Sequence, residues 1–249
     1  MIVLKSPREI EIMKKANQIV AETHAYLAEK IAPGISTAEI NKLADEYIRK
    51  KGAIPSFKGY RGFPASICIS INDEVVHGIP DENRYLKSGD IVSLDIGTLY
   101  EGFNGDAART FPVGEIDKKA RKLMDVTEKS LHRAIAKAKA GNRLTDISHA
   151  VQSYVEEKGF SVVREYVGHG IGRDMHEDPQ IPNFGPPGRG PRLKPGMTLA
   201  IEPMVNTGGF KVKTMDDGWT VKTADNSLSA HFEHTIAVTD DKTLILSKL

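Results

Sequence analysis

The feature that most limits what this chain can fold into is a duplication. Shifted by 107 residues, Gly34 falls on Gly141, Ile40 on Ile147, Tyr47 on Tyr154, Lys51 on Lys158 and Gly52 on Gly159. Further on, Lys87–Asp95 falls on Lys194–Glu202 at the same shift, and both blocks end in a carboxylate. The triplet His77-Gly78-Ile79 matches His169-Gly170-Ile171 at a shift of 92, so extra residues lie on different sides of the histidine in each half. A repeat of this kind sets the architecture before any single element is placed. Chance similarity between two amphipathic helix-then-strand units is the alternative, and the matched carboxylates argue against it. Two related halves, approximately 1–112 and 113–249, are expected to face each other across a pseudo-twofold axis. No linker-like composition separates them, so 1–249 reads as one domain with a bipartite core.

Local signals fill in each half. Ser6-Pro7-Arg8-Glu9 supplies an N-cap serine, proline at the first helical position and a glutamate to close a capping box. That helix is expected to run to about Lys30, before Pro33-Gly34. Ser36-Thr37-Ala38-Glu39 opens a second helix, ending near Gly52. Short stretches rich in branched residues, Ile67–Ile71 and Ile91–Ile96, read as strands. Helical periodicity returns over Lys118–Lys139 and Leu144–Lys158, and strands and loops follow Phe160.

Composition excludes several classes of function. The 34 Lys+Arg nearly cancel the 33 Asp+Glu, leaving +1, so there is no basic excess to serve nucleic acid as a main partner. The single cysteine, Cys68, excludes an intramolecular disulfide framework and an all-thiolate zinc site. The N-terminus turns polar after four residues, too soon for a signal-peptide core. No apolar run approaches the roughly 20 residues that span a bilayer. A soluble cytoplasmic protein, with no membrane partner, is expected.

Chemistry enters with the acids. Asp95 sits in an apolar strand, where aspartate is disfavoured. Alone, it reads as the wet face of a half-buried strand. A turn at Leu99–Gly102 would set Asp106 directly opposite it, and two like charges across a ladder destabilise unless a divalent cation lies between them. The second half repeats the device: Glu202 stands where Asp95 does, and Glu233 lies on a later strand, Ala230–Ile236. An intervening hairpin turns at Asp217-Gly218. Four carboxylates are thus expected to converge on one sheet. With His169, in Gly168-His169-Gly170-Ile171-Gly172, they are too many for one zinc and suit two divalent ions. The flanking glycines would let backbone and substrate approach closely. His77 and His176 are candidates for substrate contacts, while His24, His132 and His149, on predicted helices, read as structural or exposed.

These residues resemble the ligand set of type I methionine aminopeptidases of the bacterial kind. Supporting motifs are Tyr166-Val167-Gly168-His169-Gly170-Ile171-Gly172, Ile201-Glu202-Pro203-Met204, Asp217-Gly218-Trp219-Thr220-Val221 and His231-Phe232-Glu233-His234-Thr235, and the likeness spans essentially the whole chain. It implies an α+β pita-bread (creatinase/aminopeptidase-like) fold, two pseudo-twofold-related αβ halves around an antiparallel sheet. It implies two divalent ions, drawn from Co, Mn, Fe or Zn. Asp95 and Glu233 would hold one ion, His169 and Glu202 the other, with Asp106 and Glu233 bridging. Catalytic roles fall to Glu202 as general base, His176 as donor to the carbonyl oxygen and His77 near the scissile amide nitrogen. Tyr60, Phe63, Cys68 and Trp219, with Phe57 nearby, would line a methionine slot. Met175 and Phe57 depart from some family members and bear on the finer substrate preference. The implied partners are nascent polypeptide N-termini at the ribosome, met by a monomer and favouring a small second residue. An Xaa-Pro-type peptidase on the same fold, and a non-catalytic peptide-binding relative, are the competing readings. The first normally carries a further N-terminal domain, for which the chain length is expected to leave no room.

Overall fold

The computed structural model describes residues 1–249. The N-terminal half contains α1 (Pro7–Ala28), α2 (Thr37–Lys50), β1 (Ile54–Pro55), β2 (Cys68–Ile71), β3 (Glu74–Val76), β4 (Ile91–Tyr100) and β5 (Phe103–Pro112). The C-terminal half begins with α3 (Lys118–Lys137), α4 (Leu144–Glu157), β6 (Ser161–Val162), β7 (Gly168–Gly170), β8 (Glu177–Ile181) and β9 (Thr198–Ile201). It continues through β10 (Met204–Asn206), β11 (Val212–Thr214), β12 (Val221–Thr223), β13 (Ser229–His231), β14 (His234–Val238) and β15 (Thr243–Ile245).

The caps form as the sequence indicates. Glu9 N–H donates to Ser6 Oγ at 3.4 Å and Ser6 N–H donates back to Glu9 Oε2 at 2.9 Å. Glu39 N–H donates to Ser36 Oγ at 3.1 Å. The repeat is physical. Helices α2 and α4, strands β1 and β6, and the starts of β4 and β9 are all offset by 107 residues. So are the isolated bridges Ser36↔Tyr85 and Arg143↔Arg192. Gly34 N–H donates to Leu86 O as Gly141 N–H does to Leu193 O. One apolar core lies under α1 and α2, another under α3 and α4. A third, between the halves, takes Phe57, Phe63 and Cys68 from one and Met175 and Ala200 from the other.

Four of the finer expectations change. First, β4 and β5 meet at a two-residue turn, with Tyr100 paired to Phe103 and positive φ at Glu101 (46°) and Gly102 (78°). Such turns match strand twist. The register therefore pairs Asp95 with Ala108 and Asp106 with Gly97, so the two aspartates are diagonal neighbours on one face. Second, all the ladders are antiparallel but form separate sheets, so the acids do not share one. Asp95 and Asp106 belong to the sheet of β1, β2, β4 and β5, while His169 belongs to the sheet of β15, β14, β9, β7 and β8. Third, Glu202 and Glu233 lie just past the last pair of the β9–β14 ladder, Ile201↔His234, so Glu233 occupies a break and not a strand. Fourth, Ser70 pairs with Ser93 on β4, and His169 with Ala200 on β9. Because Ser93 and Ala200 are repeat mates, His169 corresponds to Ser70 and not to His77. The matching triplets mislead because the residues between β2 and β3 are fewer than those after β7.

The halves are stitched through β5. Glu233 N–H donates to Ala108 O at 2.8 Å, Thr235 Oγ1 to Asp106 O at 2.7 Å, and Thr110 Oγ1 to His231 O at 2.9 Å. Helix α1 presses on β5 at Gly105, where a Cβ would collide with the backbone of Ala16 and Asn17. This close approach brings Asn17 Oδ1 to accept from Asp106 N–H at 3.2 Å.

Candidate metal centre and substrate cavity

A cavity of about 150 Å³ opens between the halves. It is lined by Phe57, Tyr60, Arg61, Phe63, Cys68, His77, Asp95, Asp106, His169, His176, Glu202, Trp219 and Glu233. Every residue singled out for the site from sequence is among them. Met175 is not: it packs behind, and a Cβ on Gly97 would run into its methyl and into the Phe57 ring.

The polar wall is unusual for its lack of compensation. Asp106, Glu233 and His169 are buried, and a ligand atom from each falls within 4.8 Å of the others. His169 Nε2 lies 3.5 Å from Glu202 Oε1 and 3.8 Å from Asp106 Oδ2. The other ring nitrogen, Nδ1, is 2.9 Å from Gly170 O. Donation there leaves the Nε2 lone pair facing the acids, the orientation a metal-ligating imidazole needs. Asp95 Oδ1, Asp106 Oδ1 and Glu233 Oε1 have no hydrogen-bond partner, nor does Nε2 of buried His231, 3.8 Å from Glu202 Oε2.

Burial then dictates the protonation of the metal-free chain. Loss of solvent raises Asp95 to about 7 and drives Asp106, Glu202 and Glu233 well above the usual carboxylate range, with their mutual repulsion adding to the last three. Burial, followed by the neighbouring His176, lowers His169 to about 3. Four crowded acids beside neutral imidazoles, with acceptor oxygens left unpartnered, are costly by themselves. Oxygen and imidazole donors in this number fit hard or borderline divalent cations, which remove that cost.

The opposite wall is apolar and aromatic. Phe63 meets Trp219 edge-on at 5.2 Å, and His77 stands edge-on to Trp219 at 6.3 Å and to Tyr166 at 5.5 Å. Cys68 enters from β2 opposite Asp95, so the slot adjoins the carboxylates directly. His77 holds a left-handed backbone, φ 60°, which a non-glycine residue adopts at a cost and which turns its ring into the cavity wall. Burial lowers His77 to about 4. The His176 ring lies 4.3 Å from that of His169, tilted by 42°, and its Nδ1 lies 2.8 Å from the Tyr60 hydroxyl. Its pKa is lowered, by burial and then by Arg61.

Two residues went unassigned from sequence. Arg61, the cationic member of the lining, sits at φ 49° between Gly59 and Gly62, and the run of glycines around it was the available signal. His231 lay within a quoted motif, but only the break after β13 brings it to Glu202. The glycines around His169 allow the close backbone approach expected of them, and it is neighbouring strands that use it. A Cβ at Gly168 would strike Ala200 O and one at Gly170 would strike Asp178 O, so they admit neighbouring strands, not substrate.

Comparisons with known proteins agree with this geometry. The model of metallopeptidase family M24 matches residues 11–240. The chain is 59% identical to methionine aminopeptidase 1 of Bacillus subtilis over the full length of both. It is 46% identical to the methionine aminopeptidase of Escherichia coli, over 99% of this chain and 94% of that one. The crystal structure of the methionine aminopeptidase from Thermotoga maritima superposes with a TM-score of 0.99 at 49% identity, covering 100% of each chain. Prolidase from Pyrococcus furiosus shares the fold, with a TM-score of 0.81 at 24% identity over 99% of this chain and 66% of that one.

Proposed function

The chain belongs to metallopeptidase family M24 and has its pita-bread fold, and we infer from this that it hydrolyses the first peptide bond of polypeptides that begin with methionine. The observation that carries the reading is the apolar slot set directly against four crowded carboxylates, three of them with an unpartnered buried oxygen, and His169. The slot takes the methionine side chain, where sulfur gains from aromatic edges such as those of Phe63 and Trp219. The enzyme depends on divalent metal. We assign two ions, from Co, Mn, Fe or Zn, to Asp95, Asp106, His169, Glu202 and Glu233.

When bound, such ions supply Lewis acidity toward a water and toward the scissile carbonyl. The chain does the rest. Glu202 is the general base, taking a proton from the attacking water and returning it to the leaving amine. His176 donates from Nε2 to the carbonyl oxygen as charge develops there. For that, Nδ1 must accept, and the Tyr60 hydroxyl is placed to donate to it. His77 hydrogen-bonds near the amide nitrogen. Tyr60, Phe63, Cys68 and Trp219 hold the first side chain and exclude water. We assign 1–249 to one catalytic domain, a cytoplasmic monomer acting on nascent polypeptides at the ribosome, with a small second residue favoured.

Kinetics on Met-Ala-Ser and on a matched Xaa-Pro peptide test the reading. Met-Ala-Ser should be cleaved and the Xaa-Pro bond spared. Glu202→Ala and His169→Ala should abolish turnover in folded protein. Near-normal turnover in either variant would overturn the assigned roles.

A further inference from the structure

Lys5 is a buried lysine, its side chain 3% accessible, and its partner is Glu177, 10% accessible and next in sequence to His176. Lysine is rarely buried unless paired, and a buried pair carries a desolvation cost that an apolar pair would not. Lys5 Nζ bonds Glu177 Oε2 and also donates to Val3 O at 3.3 Å. The lysine's own N–H donates to Gly196 O at 2.7 Å, which pins this N-terminal strap to the C-terminal half. The other oxygen of Glu177 accepts from Asp174 N–H at 3.4 Å. The pair is seated against Gly172, where a Cβ would overlap Lys5 Cε, Lys5 Nζ and Glu177 Oε1. Asn104 ties down the start of the loop, donating from Nδ2 to Gly172 O at 3.2 Å and to Arg173 O at 2.9 Å. Both ends of the segment from Gly172 to Glu177 are therefore fixed, and His176 lies within it. Neither Lys5 nor Glu177 lines the cavity.

We propose that the buried Lys5–Glu177 ion pair is a positioning device for His176, locking the backbone beside it so that the imidazole meets Tyr60 on one side and the scissile carbonyl oxygen on the other. Lys5 and Glu177 act through His176 and never touch substrate. The proposal rests on the oxyanion role given to His176 above.

Steady-state kinetics on Met-Ala-Ser with manganese(II)-loaded enzyme test it in Glu177→Gln, Lys5→Met, their double variant, His176→Ala and His176→Ala/Glu177→Gln. Small displacements of a catalytic group cost about 10- to 100-fold, so kcat should fall by that order in each single variant with KM within about threefold. The double variant should be no slower than the worse single, because the two residues act as one unit. In the His176→Ala background, Glu177→Gln should cost nothing further. A folded Glu177→Gln or Lys5→Met enzyme with kcat within twofold of the parent overturns the proposal, as does an equal added loss in the His176→Ala background. If a single variant leaves a lone buried charge and does not fold, the neutral Lys5→Met/Glu177→Gln pair carries the test against the same limits. An unchanged kcat in His176→Ala would instead overturn the oxyanion role, and the positioning proposal with it. Loss of kcat in His176→Ala but not in the pair variants overturns the positioning proposal alone.

Discussion

The hydroxyl of Tyr60 lies 2.8 Å from Nδ1 of His176, and the two rings stack with centroids 5.4 Å apart. A neutral imidazole has one donor and one acceptor nitrogen, so a phenol donating to Nδ1 obliges the proton to sit on Nε2. Tyr60→Phe keeps the stacking and frees the tautomer. A net hydrogen bond is worth about 0.5–1.5 kcal/mol, so kcat should fall about 2- to 10-fold with little change in KM. An unaltered kcat for Met-Ala-Ser would show that Tyr60 only packs.

Divalent metal should stabilise the fold, because it relieves the repulsion among Asp95, Asp106, Glu202 and Glu233. In the metal-free chain these carboxylates have raised pKa values, so their unfavourable contribution grows as pH rises, through about 7 for Asp95. Below that pH the ion must displace protons, and apparent affinity should weaken by about tenfold per pH unit for each proton displaced. Calorimetric titration with manganese(II) at two pH values reads both the slope and the number of ions. Asp106→Asn and Glu233→Gln should each weaken binding; unchanged affinity in both would remove these residues from the ligand set.

Gly170→Ala should destabilise the protein, since the added Cβ would strike the Asp178 carbonyl where β8 passes β7. Overpacking of this kind costs about 1–3 kcal/mol. Thermal unfolding should report a lower Tm, and an unshifted Tm would mean that the strands separate freely.

Acid should weaken the fold through histidines held neutral by burial. Burial lowers His24 to about 4 from 6.5, outweighing its 3.0 Å contact with Ala107 O. The unfolded chain therefore binds more protons than the native one between these values. This stability is present above pH 6.5 and is lost as pH falls toward about 4, at up to about 1.4 kcal/mol per pH unit. Urea unfolding of His24→Gln and its parent at neutral and mildly acid pH should show a shallower decline in the variant. Parallel declines would refute the assignment.

Much of this was legible in one dimension. The repeat could be read because each half buries the same helix-and-strand pattern, and Asp95 and Glu202 stood out because a charge within or just past an apolar strand needs a reason. Hairpin register was less legible. One residue of turn length separates Asp106 facing Asp95 from Asp106 lying diagonal to it, and only the left-handed pair Glu101-Gly102 settles which. Apparent repeat mates misled at His77, because strand pairing and sequence similarity diverge where loop lengths differ. Arg61 and His231 passed unassigned for a related reason: irregular backbone brings the first to the cavity and the second to Glu202.

Sequence alone determined the duplicated architecture, the capped helices and the identity of the acids and His169, because periodicity, capping and charge burial are local demands on residue type. Tertiary structure alone decided that Asp95 and Asp106 share a sheet while Glu202 and Glu233 lie just past the strands of another, which neighbours the glycines flanking His169 admit, and that Lys5 grips the loop of His176. Those depend on surfaces brought together from distant parts of the chain, where a contact is set by the packing of whole elements and leaves no mark on its neighbours in sequence.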